Sequence, residues 1–254
     1  MSLTDDLSDA FFQGLLDMTD RLQINPTDML GVMMAESNVK ANAQNASSDA
    51  SGLIQFLPST LKHLGWTGAP KSFRQLSAAQ QVPYVEAHFQ PYAPQGLGSA
   101  ARVYQVVFLP SSLKLGSSSS TVIVKKGGVN SAVYDGNRGL DTDFNGTITV
   151  GELQKAIERK YNSARWQEIM QRLAGFISDS DGSSDNVDAI DLRTQTGVFD
   201  ALEALGFDRQ SYTYTTAVRA FQRRSGLTAD GVVGPRTRTA LIDALDENGI
   251  PYVL

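Results

Sequence analysis

The 254-residue chain contains no cysteine. A disulfide scaffold and a thiolate metal site are therefore both excluded. Histidine is nearly as scarce, with only His63 and His88, so a zinc centre built from imidazoles is not expected. No apolar run is long enough to span a bilayer. The first residues, Met1-Ser2-Leu3-Thr4-Asp5-Asp6, are acidic and lack the basic and apolar regions of a Sec-type signal peptide. Positive charge is also in deficit: 22 Lys and Arg face 27 Asp and Glu, for a formal net charge of −5. No nucleic-acid partner is expected from that balance. The hydrophobic fraction of 41% is ordinary for a globular protein, and the length suits one large or two small domains.

Against this background one carboxylate stands out. Glu36 ends the apolar run Met29-Leu30-Gly31-Val32-Met33-Met34-Ala35. Leu30, Met33 and Met34 keep a helical spacing, which predicts a buried helix. At the end of such a helix water is partly excluded, and desolvation raises a carboxyl pKa. That is the protonated state a general acid needs near neutral pH. A polar loop, Asn38 to Ser51, follows, and then Ser51-Gly52-Leu53-Ile54-Gln55-Phe56-Leu57-Pro58-Ser59-Thr60. Most glutamates are solvated surface charges, so the pairing of Glu36 with the later segment carries the argument.

Glu36-Ser37, the small-polar loop, Gly52-Leu53-Ile54-Gln55 and Thr60 closely resemble the "ES … GLMQ … T" signature of lysozyme-like lytic transglycosylases. Ile54 stands where that family usually has Met, a volume-conserving exchange. The resemblance implies cleavage of the bond between N-acetylmuramic acid and N-acetylglucosamine in peptidoglycan, with Glu36 as acid/base. It further implies that Gln55 and its neighbours Ser37 and Ser51 line the sugar groove. Ala100-Ala101-Arg102-Val103-Tyr104-Gln105 resembles the family's "A-x-x-Y-N" segment, with Gln105 in place of Asn. It implies that the Tyr104 hydroxyl lies near the catalytic carboxylate. Tyr134 is a rival for that role, and a core tyrosine is the plainer reading of either. No second carboxylate is clearly placed; Asp49 is the nearest candidate.

Elsewhere the chain reads as mostly helix. Leu7, Phe11, Leu15, Met18 and Leu22 predict a helix over 4–22, capped by Thr4 or Asp5. Asn25-Pro26 predicts a new start, with Asn25 at the cap and Pro26 in the first turn. Further helices are expected from Pro58 to Leu64, after Ser77, and from Leu97 to Phe108. Pro83 is tolerated only near its helix's start. Residues 111–128 read as a mobile connection, with Thr121-Val122-Ile123-Val124 a possible strand. A flap over the groove is the alternative.

Asp141-Thr142-Asp143-Phe144-Asn145-Gly146-Thr147-Ile148-Thr149-Val150-Gly151-Glu152 matches D-x-[DN]-x-[DN]-G-x5-E without a gap. It resembles an EF-hand loop. Asp141, Asp143 and Asn145 would offer side-chain oxygens to calcium, Thr147 its carbonyl, and Glu152 a bidentate carboxylate. Thr149 falls at the often water-mediated position, Gly146 permits the sharp turn, and Ile148 faces the core. A structural Ca2+ is the expected cofactor. One helix is predicted from Gly151 to Phe176. The stretch 178–195 then reads as a polar, Ser/Gly-rich linker. Ser178 to Asn186 is acidic enough for a second calcium site but fits no loop template.

The stretch AVRAFQRRSGLTADGVVGPRTRTAL, from Ala217 to Leu241, resembles a three-helix peptidoglycan-binding module, with Phe221, Leu227, Val233 and Leu241 as core. The expected architecture is thus mainly α. A lysozyme-like catalytic domain spans 1–177 with the calcium loop inside it, and a small peptidoglycan-binding domain spans 196–254. The expected partner is bacterial peptidoglycan, and the expected state is a monomer. Without a Sec-type signal, delivery by a phage particle, a holin or a secretion machine is expected, as in endolysins. The alternatives are a hydrolytic muramidase of the same fold and a non-catalytic, calcium-stabilised wall-binding or virion protein.

Overall fold

Two separate hydrophobic cores organise the chain, which is seen here in a computed structural model describing residues 2–180, 190–192, 195–209, 211–233 and 235–253. The first core runs from Leu7 to Leu173 and the second from Leu192 to Leu245. The first is built from α1 (Asp9–Leu22), α2 (Pro26–Ser37), α3 (Pro58–His63), α4 (Pro70–Phe73), α5 (Ala78–Phe89) and α6 (Ala100–Phe108). It continues through β1 (Val122–Lys125), α7 (Ser131–Gly136), β2 (Thr147–Thr149), α8 (Val150–Glu158) and α9 (Ala164–Ser180). The second comprises β3 (Ile190–Asp191), α10 (Gln195–Ala204), α11 (Tyr214–Arg224), α12 (Pro235–Glu247) and β4 (Tyr252–Val253). The fold is mainly α, as the sequence predicts. Among the described residues no helix is long and apolar enough to cross a membrane.

α2 is the central element of the first unit. Asn25 caps it, its side chain accepting from the Thr27 amide at 2.7 Å, and Pro26 occupies the first turn. Met29, Leu30, Val32 and Met33 are fully buried, which contributes about 1.5–3 kcal/mol per large side chain. A helix buried on all faces has little freedom to shift. Its last turn therefore holds Glu36 in a fixed place. α5 opens on a capping box: Ser77 accepts from the Gln80 amide while Gln80 accepts from the Ser77 amide.

Four expectations need correction. α1 starts at Asp9, not Thr4; the Thr4 hydroxyl donates instead to Glu168 Oε1 at 2.7 Å, tying the N-terminus to α9. The helix expected over 151–176 is two helices broken at 159–163. The apolar spacing runs on across the break, but Ser163 Oγ accepts from the Trp166 amide and starts α9 afresh, while Tyr161 stacks on Trp166 at 4.7 Å. Residues 111–128 are not a loose connection. β1 pairs antiparallel with β2, Val124 opposite Ile148, and a 3-10 turn over Pro110–Leu115 precedes it. Finally, Ile190 and Leu192 belong to the second core, and β3 pairs in parallel with β4. The rest of the expected linker, and with it the acidic stretch that fits no calcium-loop template, falls largely outside the described residues.

Candidate active site

The backbone leaves α2 through two successive left-handed residues, Asn38 (φ 55°) and Val39 (φ 55°). A β-branched residue there is strained, so something must hold it. Val39 is fully buried. Arg165, reaching over from α9, donates to the Asn38 carbonyl at 2.7 Å and the Val39 carbonyl at 3.1 Å. This clamp fixes the turn directly after Glu36 and Ser37.

The loop beyond it is pinned from two sides at one peptide unit. The Ser37 hydroxyl donates to the Leu53 carbonyl at 2.8 Å. The Leu53 amide donates to Gln81 Oε1 at 3.0 Å. Gln81, fully buried on α5, gives its own N–H groups to the carbonyls of Ala41 (2.8 Å) and Phe73 (3.2 Å). One carboxamide thus joins three segments around the site, and leaving any of those groups unpaired would cost about 1–3 kcal/mol. Gly52 (φ +81°) has no room for a side chain beside it: a Cβ would lie 2.3 Å from Gln81 Oε1 and 2.9 Å from Phe73 Cε1.

The structure sorts the residues expected to meet sugar. Gln55 is half-buried, in a left-handed conformation (φ 54°), and donates to the Gly52 carbonyl at 3.1 Å. Ser37 is buried, with its hydroxyl engaged by the Met33 and Leu53 carbonyls. Ser51 has no exposed surface; its hydroxyl donates to the Asp49 carbonyl and accepts from Arg74 at 2.6 Å. Both serines therefore sit beneath the loop that carries Gln55. Asp49 is paired with Arg74 at 2.8 Å.

Glu36 is half-buried. Burial pushes its carboxyl up to about 7, against the opposing effect of a hydrogen bond from the Tyr104 hydroxyl. The Tyr104 phenol is itself buried, and burial together with the facing Glu36 charge drives its pKa upward, so it stays a neutral donor. Tyr134 lies elsewhere: its hydroxyl donates to Asp141 Oδ2 at 2.6 Å. Gln105, next to Tyr104, is fully buried and bonds the Ser112 and Gly116 carbonyls, bracing the segment that leads to β1.

The loop from Asp141 to Glu152 gathers carboxylates as its spacing predicts. Oxygens of Asp141, Asp143 and Glu152 all lie within 4.8 Å of one another. Tyr134 and the amides of Gly146 and Asn145 hold Asp141 below the ordinary carboxylate range. Asn145 Oδ1 accepts from the Thr147 amide, and Glu152 accepts from the amides of Thr142 and Thr149. Hard oxygen donors of this kind suit calcium or magnesium rather than a soft metal. In the second unit, the buried Gln222 ties Asp230, Gly231, Val232 and Thr237 to α11.

A half-buried acid with a raised pKa facing a neutral phenol, on a rigid helix beside a polar loop, is a glycosidase-type arrangement. Residues 16–78 match the family model of the Transglycosylase SLT domain, and residues 200–241 match that of the "Putative peptidoglycan binding domain". No curated protein and no solved structure matches the chain. The chain is thus a peptidoglycan-degrading enzyme of the transglycosylase type, with the wall polymer as its partner.

Proposed function

We propose that the enzyme cleaves the MurNAc–GlcNAc β-1,4 bond as a lytic transglycosylase, with Glu36 as its single acid/base. The neutral Glu36 carboxyl gives its proton to the glycosidic oxygen as the C1–O bond breaks and positive charge develops at C1. The GlcNAc-bearing chain leaves as an alcohol. The resulting Glu36 carboxylate takes the proton of the muramic C6 hydroxyl, whose oxygen closes on C1 to form the 1,6-anhydro ring. Tyr104 orients the carboxyl, and Gln55 with its loop lines the sugar groove. The observations that carry this reading are the Glu36 carboxyl itself, raised to about 7 by burial and facing the Tyr104 hydroxyl, and the engagement of Asp49, the second carboxylate the sequence offers, by Arg74. A hydrolase using a second carboxylate to activate water needs one within roughly 10 Å. Mass spectrometry of products from purified peptidoglycan decides the matter. Anhydro-muropeptides are expected; reducing muramic ends alone would make the enzyme a muramidase.

The pH profile supplies a further check. Activity requires protonated Glu36, so it is expected to fall as pH rises through about 7. The Tyr104 hydrogen bond lowers the Glu36 pKa, so Tyr104→Phe is expected to move that falling limb to higher pH while reducing the maximal rate. A limb that stays in place would remove Tyr104 from contact with the acid.

The C-terminal unit, with a core of its own, serves in this reading as a wall-targeting module. Deleting residues 190–254 is expected to abolish most pull-down by insoluble peptidoglycan, and undiminished retention would contradict the targeting role. In the same reading the loop Asp141–Glu152, far from Glu36 in sequence, holds a structural calcium that takes no part in the proton transfers.

A further inference from the structure

One buried acid has no part in this chemistry. Asp28, in the first turn of α2, has an oxygen, Oδ2, that is sealed from solvent and has no hydrogen-bond partner among the described residues. The Thr215 hydroxyl faces it from α11 of the second unit and is likewise sealed and unpartnered. The two groups meet at a cavity of about 390 Å³ between the units. Arg219 on α11, the Ala100 amide on α6 and the Tyr161 phenol also act on, or are acted on by, the Asp28 carboxyl. Lys155 and Glu158 of α8 line the same cavity. Nearby, Val232 packs over Gly98, where an added Cβ would be 3.4 Å from Val232 Cγ2.

An ionised carboxylate sealed without a partner is strongly disfavoured. A protonated one has a hydrogen to give, and the Thr215 hydroxyl beside it, which forms no well-aligned hydrogen bond, can accept from the neutral acid as well as donate to the ionised one. We propose that Asp28 is a proton-operated latch between the two units: neutral, it holds the C-terminal module docked on the catalytic unit, and ionised, it releases the module. Burial pushes the Asp28 carboxyl from 3.8 up to about 7 in the docked state, while Ala100, Thr215 and Arg219 pull it down. In the released state water reaches the carboxyl and its pKa returns toward the ordinary value. Docking is therefore fully favoured below about 3.8, weakens as pH rises, and levels off above about 7. Asp28 lies eight residues before Glu36 on α2, about 12 Å along the axis. The latch thus operates at the end of α2 away from the catalytic acid, and it is independent of which product the enzyme makes.

Small-angle scattering of the intact chain tests it. At about pH 5 the radius of gyration is expected near the ~18 Å of one compact body, rising by more than ~2 Å at about pH 8. Asp28→Asn, neutral at every pH, is expected to stay compact at both. Thr215→Ala, lacking the acceptor, is expected to open at lower pH than wild type, and it serves as the deciding variant should Asp28→Asn fail to fold by circular dichroism. Equal wild-type radii at the two pH values, the same expansion in Asp28→Asn, or an unshifted opening in Thr215→Ala would overturn the latch.

Discussion

Glu36→Gln is expected to lower the rate of peptidoglycan cleavage at least ~100-fold, the scale of general acid–base catalysis. The amide fills the same space and still accepts from Tyr104, but it has no proton acidic enough to give the leaving oxygen. Nor can it take one from the C6 hydroxyl, so both halves of the proposed reaction lose their proton carrier. Clearing of wall suspensions at the wild-type rate would remove Glu36 from the mechanism. Stability should move the other way. The native Glu36 carboxyl is raised to about 7 from 4.5, so at neutral pH the folded state bears the cost of a buried charge that the unfolded state does not. That cost is absent below about 4.5 and grows as pH rises toward 7. Glu36→Gln should therefore melt higher than wild type at and above neutral pH, and the gap should close in acid. A variant both inactive and less stable at pH 8 would instead indicate a damaged fold.

The parts of this site that the sequence reveals are those with local causes. Asn25-Pro26 caps its own helix, Ser77 and Gln80 form their box within one turn, and the clustered carboxylates Asp141, Asp143 and Glu152 come from twelve consecutive positions. Tyr104 over Tyr134 needed the structure, since both lie in short helices and only geometry shows one facing Glu36 and the other Asp141. Gln81 was invisible because its partners, at 41, 53 and 73, are assembled only by the fold. Arg165 holds the strained turn after Glu36 from more than a hundred residues away. β1 was ambiguous for the same reason, its partner β2 lying beyond α7. The break before α9 leaves no mark in the sequence, because apolar periodicity runs on across a pause that keeps the same face buried. Asp28 follows Asn25-Pro26-Thr27 in a polar helix start, and its burial arises only in the fold.

Calcium is expected to raise the melting temperature of the chain by several degrees, and chelation to lower it. Binding to the native state alone stabilises by about 2.7 kcal/mol at a hundredfold excess over Kd. For a protein of this size that corresponds to roughly 5–10 °C. The site would gather the clustered oxygens of Asp141, Asp143 and Glu152, which repel one another when nothing positive lies between them. Glu152→Gln should abolish most of the shift, because it removes the charge of the bidentate ligand. Magnesium should substitute poorly, since it demands tighter octahedral geometry. The loop also feeds the scaffold of the candidate site. β2 leads straight into α8, and α8 packs on α6, which carries Tyr104, and on α2, which carries Glu36. At Gly31 the approach of α8 to α2 is so close that a Cβ would lie 2.7 Å from Ile157 Cγ2. Chelation should therefore depress activity most near the melting temperature and least well below it, the signature of a brace rather than a reacting ion. Calorimetry showing no calcium uptake, with identical melting in chelator, would dispose of the site; full loss of activity on chelation at low temperature would instead put the ion in the chemistry.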